Sequence, residues 1–316
     1  MRHDDVVLVG VDGSIASLHA LDWAAAAAKV HHRSLRIVCS YSLPSFTAAS
    51  LDGGYAALDD TAIQAGARAV LEEATQRIAS SRVEVTATVA TGDATGVLVE
   101  LSHEVAVAVV GTRGRGGFAD RVLGTVSSAL PAHAYCPTVV VPLRGAPRQA
   151  SDVDEDSLPP ISPVHRIVVG VDGSPQAEIA LRTAIIEAKA WGAELIAVTG
   201  VPLGQGAGML SWLPAAIDRE QVLADVTEGL NVVIDRALVD HPGFTVRRHV
   251  LDGSGAELLT EFSTATDLII VGSRGRGGFA GLLLGSTSQA VLHHASCPVM
   301  VVTNRSKPKD EVAPTA

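Results

Sequence analysis

Two stretches of this chain combine glycine, arginine and hydroxyl side chains at one fixed spacing. Gly111-Thr112-Arg113-Gly114 is followed after nine residues by Gly124-Thr125, and Gly272-Ser273-Arg274-Gly275 is followed after nine residues by Gly285-Ser286. Glycine lets a backbone turn tightly and approach a ligand closely. A helix beginning near Gly124 or Gly285 presents N–H groups that have no intrahelical partner, and with the helix dipole these favour an anion. Thr125, Ser127, Ser286 and Ser288 can add hydroxyl donors. Arg113, Arg115 and Arg121, with Arg274 and Arg276, supply positive charge nearby. The chemistry such a loop could do is to hold a di- or triphosphate. A glycine-rich surface turn without a ligand is the competing explanation. The recurrence of the loop with its arginines, each time after an apolar strand, argues against it.

A second pair of residues belongs with the first. Asp12 and Asp172 each close a short apolar run, in Val9-Gly10-Val11-Asp12-Gly13-Ser14 and Val169-Gly170-Val171-Asp172-Gly173-Ser174. A carboxylate there could accept ribose hydroxyls or hold a magnesium ion shared with the phosphates. An Asx turn or helix cap is the alternative, and the two roles are compatible. Other chemistry is missing. Neither loop carries the lysine of a G-x4-G-K-S/T phosphate loop, and there is no H-E-x-x-H or G-x-S-x-G. His31-His32, His133 and His293-His294 fall at expected helix ends, where a cation is favourable. Cys136 and Cys297 each precede a proline and an apolar strand, as small core fillers would.

The elements that must position these residues follow from the repeat itself. The Asp motif recurs at an offset of 160 and the glycine loop at 161, and Cys136-Pro137 recurs as Cys297-Pro298. So long a period means domain duplication. In the first copy, apolar runs predict strands at about 5–11, 35–41, 83–90, 105–111 and 138–141. Helical spacing predicts helices at about 15–31, 60–80, 94–103 and 124–134. The second copy predicts strands at 166–171, 194–199, 245–251, 267–272 and 298–303, and helices at 175–190, 218–240, 255–265 and 285–295. Strict β-α alternation implies right-handed crossovers and a mostly parallel sheet covered on both faces. Such sheets bind ligands beyond the carboxyl ends of strands where the strand order reverses. The motifs end strands one and four of each copy, so they share a crevice if those strands are neighbours.

Composition narrows the partners. The chain has 316 residues, 47% of them hydrophobic, which suits two packed domains. The net charge of −10 argues against nucleic-acid backbone. The three cysteines, Cys39, Cys136 and Cys297, make a disulfide framework or zinc site unexpected. No secretory leader and no apolar run long enough to span a bilayer is visible, so a cytoplasmic location is expected. The expected organisation is a first domain over 1–142, a linker at 143–164 with four prolines and an acidic run, a second domain over 165–303, and a tail at 304–316.

The pattern G-x2-G-x9-G-S/T, an Asp after strand one and a Cys-Pro pair before the last strand resemble the universal stress protein family, in both halves of the chain. The resemblance implies two tandem open, doubly wound α/β domains of the adenine-nucleotide alpha-hydrolase-like type, each with a five-stranded parallel sheet in the order 3-2-1-4-5. It also implies one ATP per domain, with Asp12 and Asp172 approaching the ribose or a magnesium ion. By position, Gly10 and Gly170 would lie beside the nucleotide. Gly111, Thr112, Arg113, Gly114, Arg115, Gly116 and Gly117 would wrap the phosphates, with Gly124, Thr125, Val126 and Ser127. Gly272, Ser273, Arg274, Gly275, Arg276, Gly277 and Gly278 would do so in the second copy, with Gly285, Ser286, Thr287 and Ser288. Ser40 and Gly200, at the ends of the second strands, would join the adenine wall. The copies differ where Gly281 and Leu282 replace Asp120 and Arg121, which implies a weaker second phosphate site. The family pairs its last strands across a dimer, so the two halves would form a pseudo-dimer within one chain, with a homodimer through other surfaces left open. The implied role is a nucleotide-dependent stress regulator or sensor with a protein partner of unspecified kind. A slow ATPase or nucleotidyl- or phosphoryl-transfer enzyme, and a ligand-free scaffold, stay open as alternatives.

Overall fold

The computed structural model describes residues 5–42, 60–112, 123–143, 163–203, 218–275 and 283–306. The chain divides into two compact units. In its described part the first runs to Leu130, and the second takes Pro131–Leu143 and everything from 163 onward.

The first unit is built on β1 (Val6–Gly10), β2 (Ser34–Tyr41), β3 (Val85–Thr91) and β4 (Val107–Gly111), in the parallel order β3-β2-β1-β4. Val7, Leu8 and Val9 of β1 are wholly buried, as a central strand covered on both faces requires. Three helices follow their strands: α1 (Ile15–Val30), α2 (Asp60–Arg77) and α3 (Ala94–Leu101). Ala20, Ala24 and Ala28 on α1 are fully buried, which lets that helix lie close to the sheet. Arg77 ties α2 to α1 through two bonds to the carboxylate of Asp22, each 2.9 Å. The helix predicted to 80 ends at Arg77 because a 3-10 turn follows and Arg82 turns left-handed, at φ 59°. The last helix of the first repeat, α4 (Thr125–His133), crosses from one unit to the other between Leu130 and Pro131.

The second unit holds β6 (Arg166–Gly170), β7 (Glu194–Val201), β8 (Val246–Asp252), β9 (Leu268–Gly272) and β10 (Val299–Val302), with β5 (Thr138–Val141) beside β10. The five strands of the second repeat run parallel in the order β8-β7-β6-β9-β10, which is the 3-2-1-4-5 arrangement. β5 is antiparallel to β10, with Val140 opposite Val299 and Thr138 opposite Val301. By sequence β5 belongs to the first repeat and by contact to the second unit. The helices are α5 (Pro175–Trp191), α6 (Arg219–Leu238), α7 (Gly255–Phe262) and α8 (Ser286–His294). Three of these helices carry a side-chain cap: Ser174 caps α5 ahead of Pro175, Asp218 caps α6 and Ser254 caps α7. Among the described residues, no helix is long and apolar enough to cross a membrane.

Two adjacencies matter for function. β1 pairs with β4, and β6 pairs with β9, so in each repeat the Asp motif and the start of the glycine loop leave neighbouring strand ends. Close packing below those ends is enforced by glycine. A Cβ on Gly111 would overlap the carbonyl of Ala16 in α1, and one on Gly272 would stand 2.9 Å from the carbonyl carbon of Gln176 in α5. Gly66, on the exposed side of α2, has nothing within 4 Å of a added Cβ. Gly111→Ala is therefore expected to destabilise the chain by about 1–3 kcal/mol. Gly66→Ala is expected to stabilise it by about 0.5–1 kcal/mol through helix propensity. Urea midpoints of the two variants check both signs.

Candidate functional site

In the second unit the ends of β6, β7 and β9 and the start of α8 enclose a cleft of about 420 Å³. Its floor is apolar, from Val171, Ala177, Val198, Leu259 and Val271. Its polar groups converge from the two repeated motifs: Asp172 from one, and Arg274, Gly275, Gly285, Ser286, Thr287 and Ser288 from the other. Gly170, Gly200 and Gly272 line it as well. An apolar hollow with a few convergent polar groups is the usual form of a small-molecule site.

The loop that forms one wall is closed at its base by hydrogen bonds to one carbonyl. The oxygen of Ser273 accepts from the Gly285 N–H at 2.7 Å and from the Ser288 hydroxyl at 3.1 Å, and the Ser273 N–H donates to the Val302 carbonyl at 2.8 Å. The first unit repeats the arrangement: the Thr112 carbonyl accepts from Gly124 N–H and from the Ser127 hydroxyl, both at 2.7 Å. Ser127 and Ser288 are buried, at 1% and 2% exposure, and each donates to loop carbonyls. Their protons serve the loop base, so the expected hydroxyl donation toward a phosphate falls to the exposed Thr125 and Ser286.

Above this base, α8 opens without a cap. The cap position is Gly285, extended at φ −77°, and no side chain bonds the first turn. In α1, α3, α5, α6 and α7 a Ser or Asp side chain takes up an N-terminal N–H. The uncapped turn lines the cleft, beside Arg274. Among the described residues, the ion pairs of this unit use Arg166, Arg182, Arg219, Arg247 and Arg248, and Arg274 is in none of these. A helix end and a guanidinium on one wall are groups that favour an anion.

Asp172 faces them. Its Oδ1 accepts the Ser174 N–H at 2.9 Å, the Asx turn that starts α5, while Oδ2 lies directly against Gly275. The turn role and a cleft-lining position therefore coexist in one carboxylate, which is exposed. In the first unit Asp12 makes the same turn. Its Oδ1 accepts from the Ser14 N–H at 3.0 Å and the Ser14 hydroxyl at 2.6 Å, and its N–H donates to the Ser17 hydroxyl at 3.3 Å. Ala177 replaces Ser17 in the second repeat and forms part of the cleft floor. Among the described residues, no group of three or more His, Cys, Asp or Glu side chains could hold a metal by itself. Asp172 fits a cation whose remaining ligands are phosphate and water.

The other expected residues divide plainly. Gly10 and Gly170 owe their lack of a side chain to packing: a Cβ would stand 2.8 Å from Leu98 and 2.9 Å from Leu259 respectively. A Cβ on Gly200 would stand 2.8 Å from the backbone of Gly253 and of Gly255, so that strand end must be glycine to pass the β8–α7 turn. Ser40 ends β2 half-buried, paired with Ala90. Val126 follows Thr125 in the first turn of α4. Arg113, Gly114, Arg115, Gly116, Gly117, Asp120 and Arg121, and Arg276, Gly277, Gly278, Gly281 and Leu282, lie outside the described residues. The floor residues, with Gly255, were not anticipated; strand and helix apolar residues carry no mark of a cleft. His293 behaves contrary to the helix-end expectation. Partial burial, and then the neighbouring His294, hold it below its ordinary value, so its cationic form is disfavoured there.

Comparison with known proteins agrees with the geometry. The universal stress protein family profile matches residues 5–142 and 163–303. The chain is 33% identical over 322 residues to the universal stress protein Rv1996 of Mycobacterium tuberculosis, covering 93% of this chain and 94% of that one. It is 32% identical over 309 residues to Rv2623 of the same organism, covering 93% and 95%. The crystal structure of a universal stress protein from Archaeoglobus fulgidus shares the fold at a TM-score of 0.65 and 21% identity, over 95% of this chain and 98% of that one.

The two serines of α8 separate by role. Ser288→Ala, which strips a buried donor from the Ser273 carbonyl, is expected to cost about 1–2 kcal/mol of stability. Ser286→Ala, exposed at the cleft wall, should stay within about 0.5 kcal/mol of the parent. Equal losses in denaturant titrations would refute the assignment of Ser288 to the loop base.

Proposed function

This chain belongs to the universal stress protein family, and we propose that each of its repeats holds one ATP as a regulatory ligand in the response to stress. The observation that carries this reading is the cleft of the second unit, where an uncapped helix end, Arg274 and the exposed carboxylate of Asp172 meet over an apolar floor. The phosphates would lie at the start of α8, within reach of Ser286, Thr287 and Arg274. The base would use the apolar floor between Val198, Leu259 and Val271. In the first repeat Asp12, Thr112, Gly124 and Thr125 occupy the corresponding positions.

Magnesium fits the same arrangement, held by Asp172 or Asp12 together with phosphate oxygens; it would neutralise charge on the phosphate chain. Turnover is not what these groups favour. Asp172 is the one acid that lines the cleft among the described residues, and one of its oxygens is committed to the Ser174 turn. A general base needs a free carboxylate or imidazole within hydrogen-bond reach of the attacking water. A bound nucleotide regulates by binding one conformation better than another, and a ligand that bridges β6, β9 and α8 would tie all three together at the cleft.

Denaturing the purified chain and identifying the released nucleotide should give about two molecules per chain, mainly ATP, for a twin-site protein. Absence of released nucleotide, with no heat of binding on titration with Mg-ATP, would sink the proposal. Arg274→Ala should weaken the second site by about 10- to 100-fold, the loss of one charge-assisted hydrogen bond, and leave the other site at its parental affinity. Titration calorimetry resolves the two.

A further inference from the structure

The outer strand of the first unit is built differently from that of the second. β3 lies at the end of the strand order, and among the described residues it pairs with β2 alone. Leu35 donates to the Glu84 carbonyl at 2.8 Å, and Gly92 donates to the Tyr41 carbonyl at 2.8 Å. In a parallel ladder the groups facing the neighbour alternate along the strand. The even-numbered residues from 84 to 92 therefore spend their backbone groups on β2. The N–H and C=O groups of Val85, Ala87, Val89 and Thr91 point away from it.

This open edge is neutral. Its sequence, Val-Thr-Ala-Thr-Val-Ala-Thr, contains no charge, proline or glycine, and none of its residues is buried. Natural sheets guard such edges with charged side chains, prolines or bulges, because an unguarded edge pairs with another strand. β8, the outer strand of the second unit, has that guard. It reads Val-Arg-Arg-His-Val-Leu-Asp, with Arg247 paired to Glu194 and Arg248 to Asp235.

We infer that β3 is an association edge whose occupant is the β3 strand of a second copy of this chain, antiparallel about a two-fold axis through Thr88. That register sets Ala87 opposite Val89 and Val85 opposite Thr91. Every one of these residues carries outward backbone groups, so the facing residues form the hydrogen-bonded pairs of an antiparallel ladder. Thr88 meets its own copy in a non-bonded pair, where Cα atoms approach to about 4.5 Å and threonine hydroxyls interact. All the side chains brought together are neutral. Beyond them Glu84 faces Gly92 and Val83 faces Asp93, so no like charges oppose. A neutral strand with this symmetry is complementary to itself, whereas an acidic or basic peptide would find no counter-charge along it.

Sedimentation of the full chain over a range of concentrations tests this. The parent should reach twice the 32.5 kDa chain mass. Val89→Pro removes an outward N–H without touching a bond to β2, and Ala87→Lys places a charge on the edge. Each should raise the dimer dissociation constant at least about ten-fold, the loss of one or two net hydrogen bonds, with an unchanged far-ultraviolet circular dichroism spectrum. Arg247→Ala, on the other edge, should leave the dimer intact. A parent that stays monomeric at every concentration overturns the inference, and so does a dimer that persists unweakened in folded Ala87→Lys.

Discussion

The cleft depends on one backbone carbonyl. Ser273 leaves the end of β9, and its oxygen receives both the first N–H of the returning chain, from Gly285, and the buried hydroxyl of Ser288. These bonds bring the far end of the glycine loop back to the strand it left and fix where α8 begins. The start of α8 then has to point at the end of β6, because β6 and β9 are hydrogen-bonded neighbours. A buried carbonyl left without these donors would carry a desolvation cost of about 1–3 kcal/mol, so the closed base is strongly preferred over an open one. The same bonds recur at Thr112, Gly124 and Ser127, which ties the conformation to the motif and not to the surroundings of either copy.

Glycine does two different jobs around this base. Gly111 and Gly272 let the strand end touch the first turn of the preceding helix, and Gly10 and Gly170 make room for Leu98 and Leu259. These are packing demands that would exist without any ligand. Gly275 and Gly285 are another matter. Gly275 leaves space for the Asp172 carboxylate, and Gly285 leaves the first turn of α8 uncapped where five other helices cap themselves with Ser or Asp. The uncapped turn leaves its N–H groups at an exposed cleft wall beside Arg274, and a helix start of this kind favours an anion.

Much of this was legible in the sequence because the geometry is local. A strand end, a glycine turn and a hydroxyl three residues into a helix must be close in sequence to be close in space, and the duplication displayed each twice. The order β3-β2-β1-β4, and its full five-stranded form in the second repeat, came from the family resemblance; alternation of strand and helix alone leaves strand neighbours open. What stayed hidden was tertiary. Val171, Val198, Leu259 and Val271 look like any core residues until the strands are placed side by side. The inward turn of Ser127 and Ser288 depends on where a carbonyl fifteen residues earlier ends up. Nor does the run of β5 reveal that its contacts lie with the second unit, since pairing to β10 is set by an antiparallel register far along the chain. The helix-end rule fails at His293 because it sees the dipole and neither the burial nor the second imidazole.

The duplication also explains why the copies can diverge. In each repeat the Asp motif and the start of the glycine loop leave neighbouring strand ends of that same repeat, so a change in one repeat need not disturb the other. Ser17 in the first copy binds the Asp12 N–H, while Ala177 in the second has no hydroxyl and adds to the apolar floor. The hydroxyl-to-methyl change alters the surroundings of one acid without touching the carbonyl base that both copies share, so divergence at the cleft floor leaves the loop closure intact.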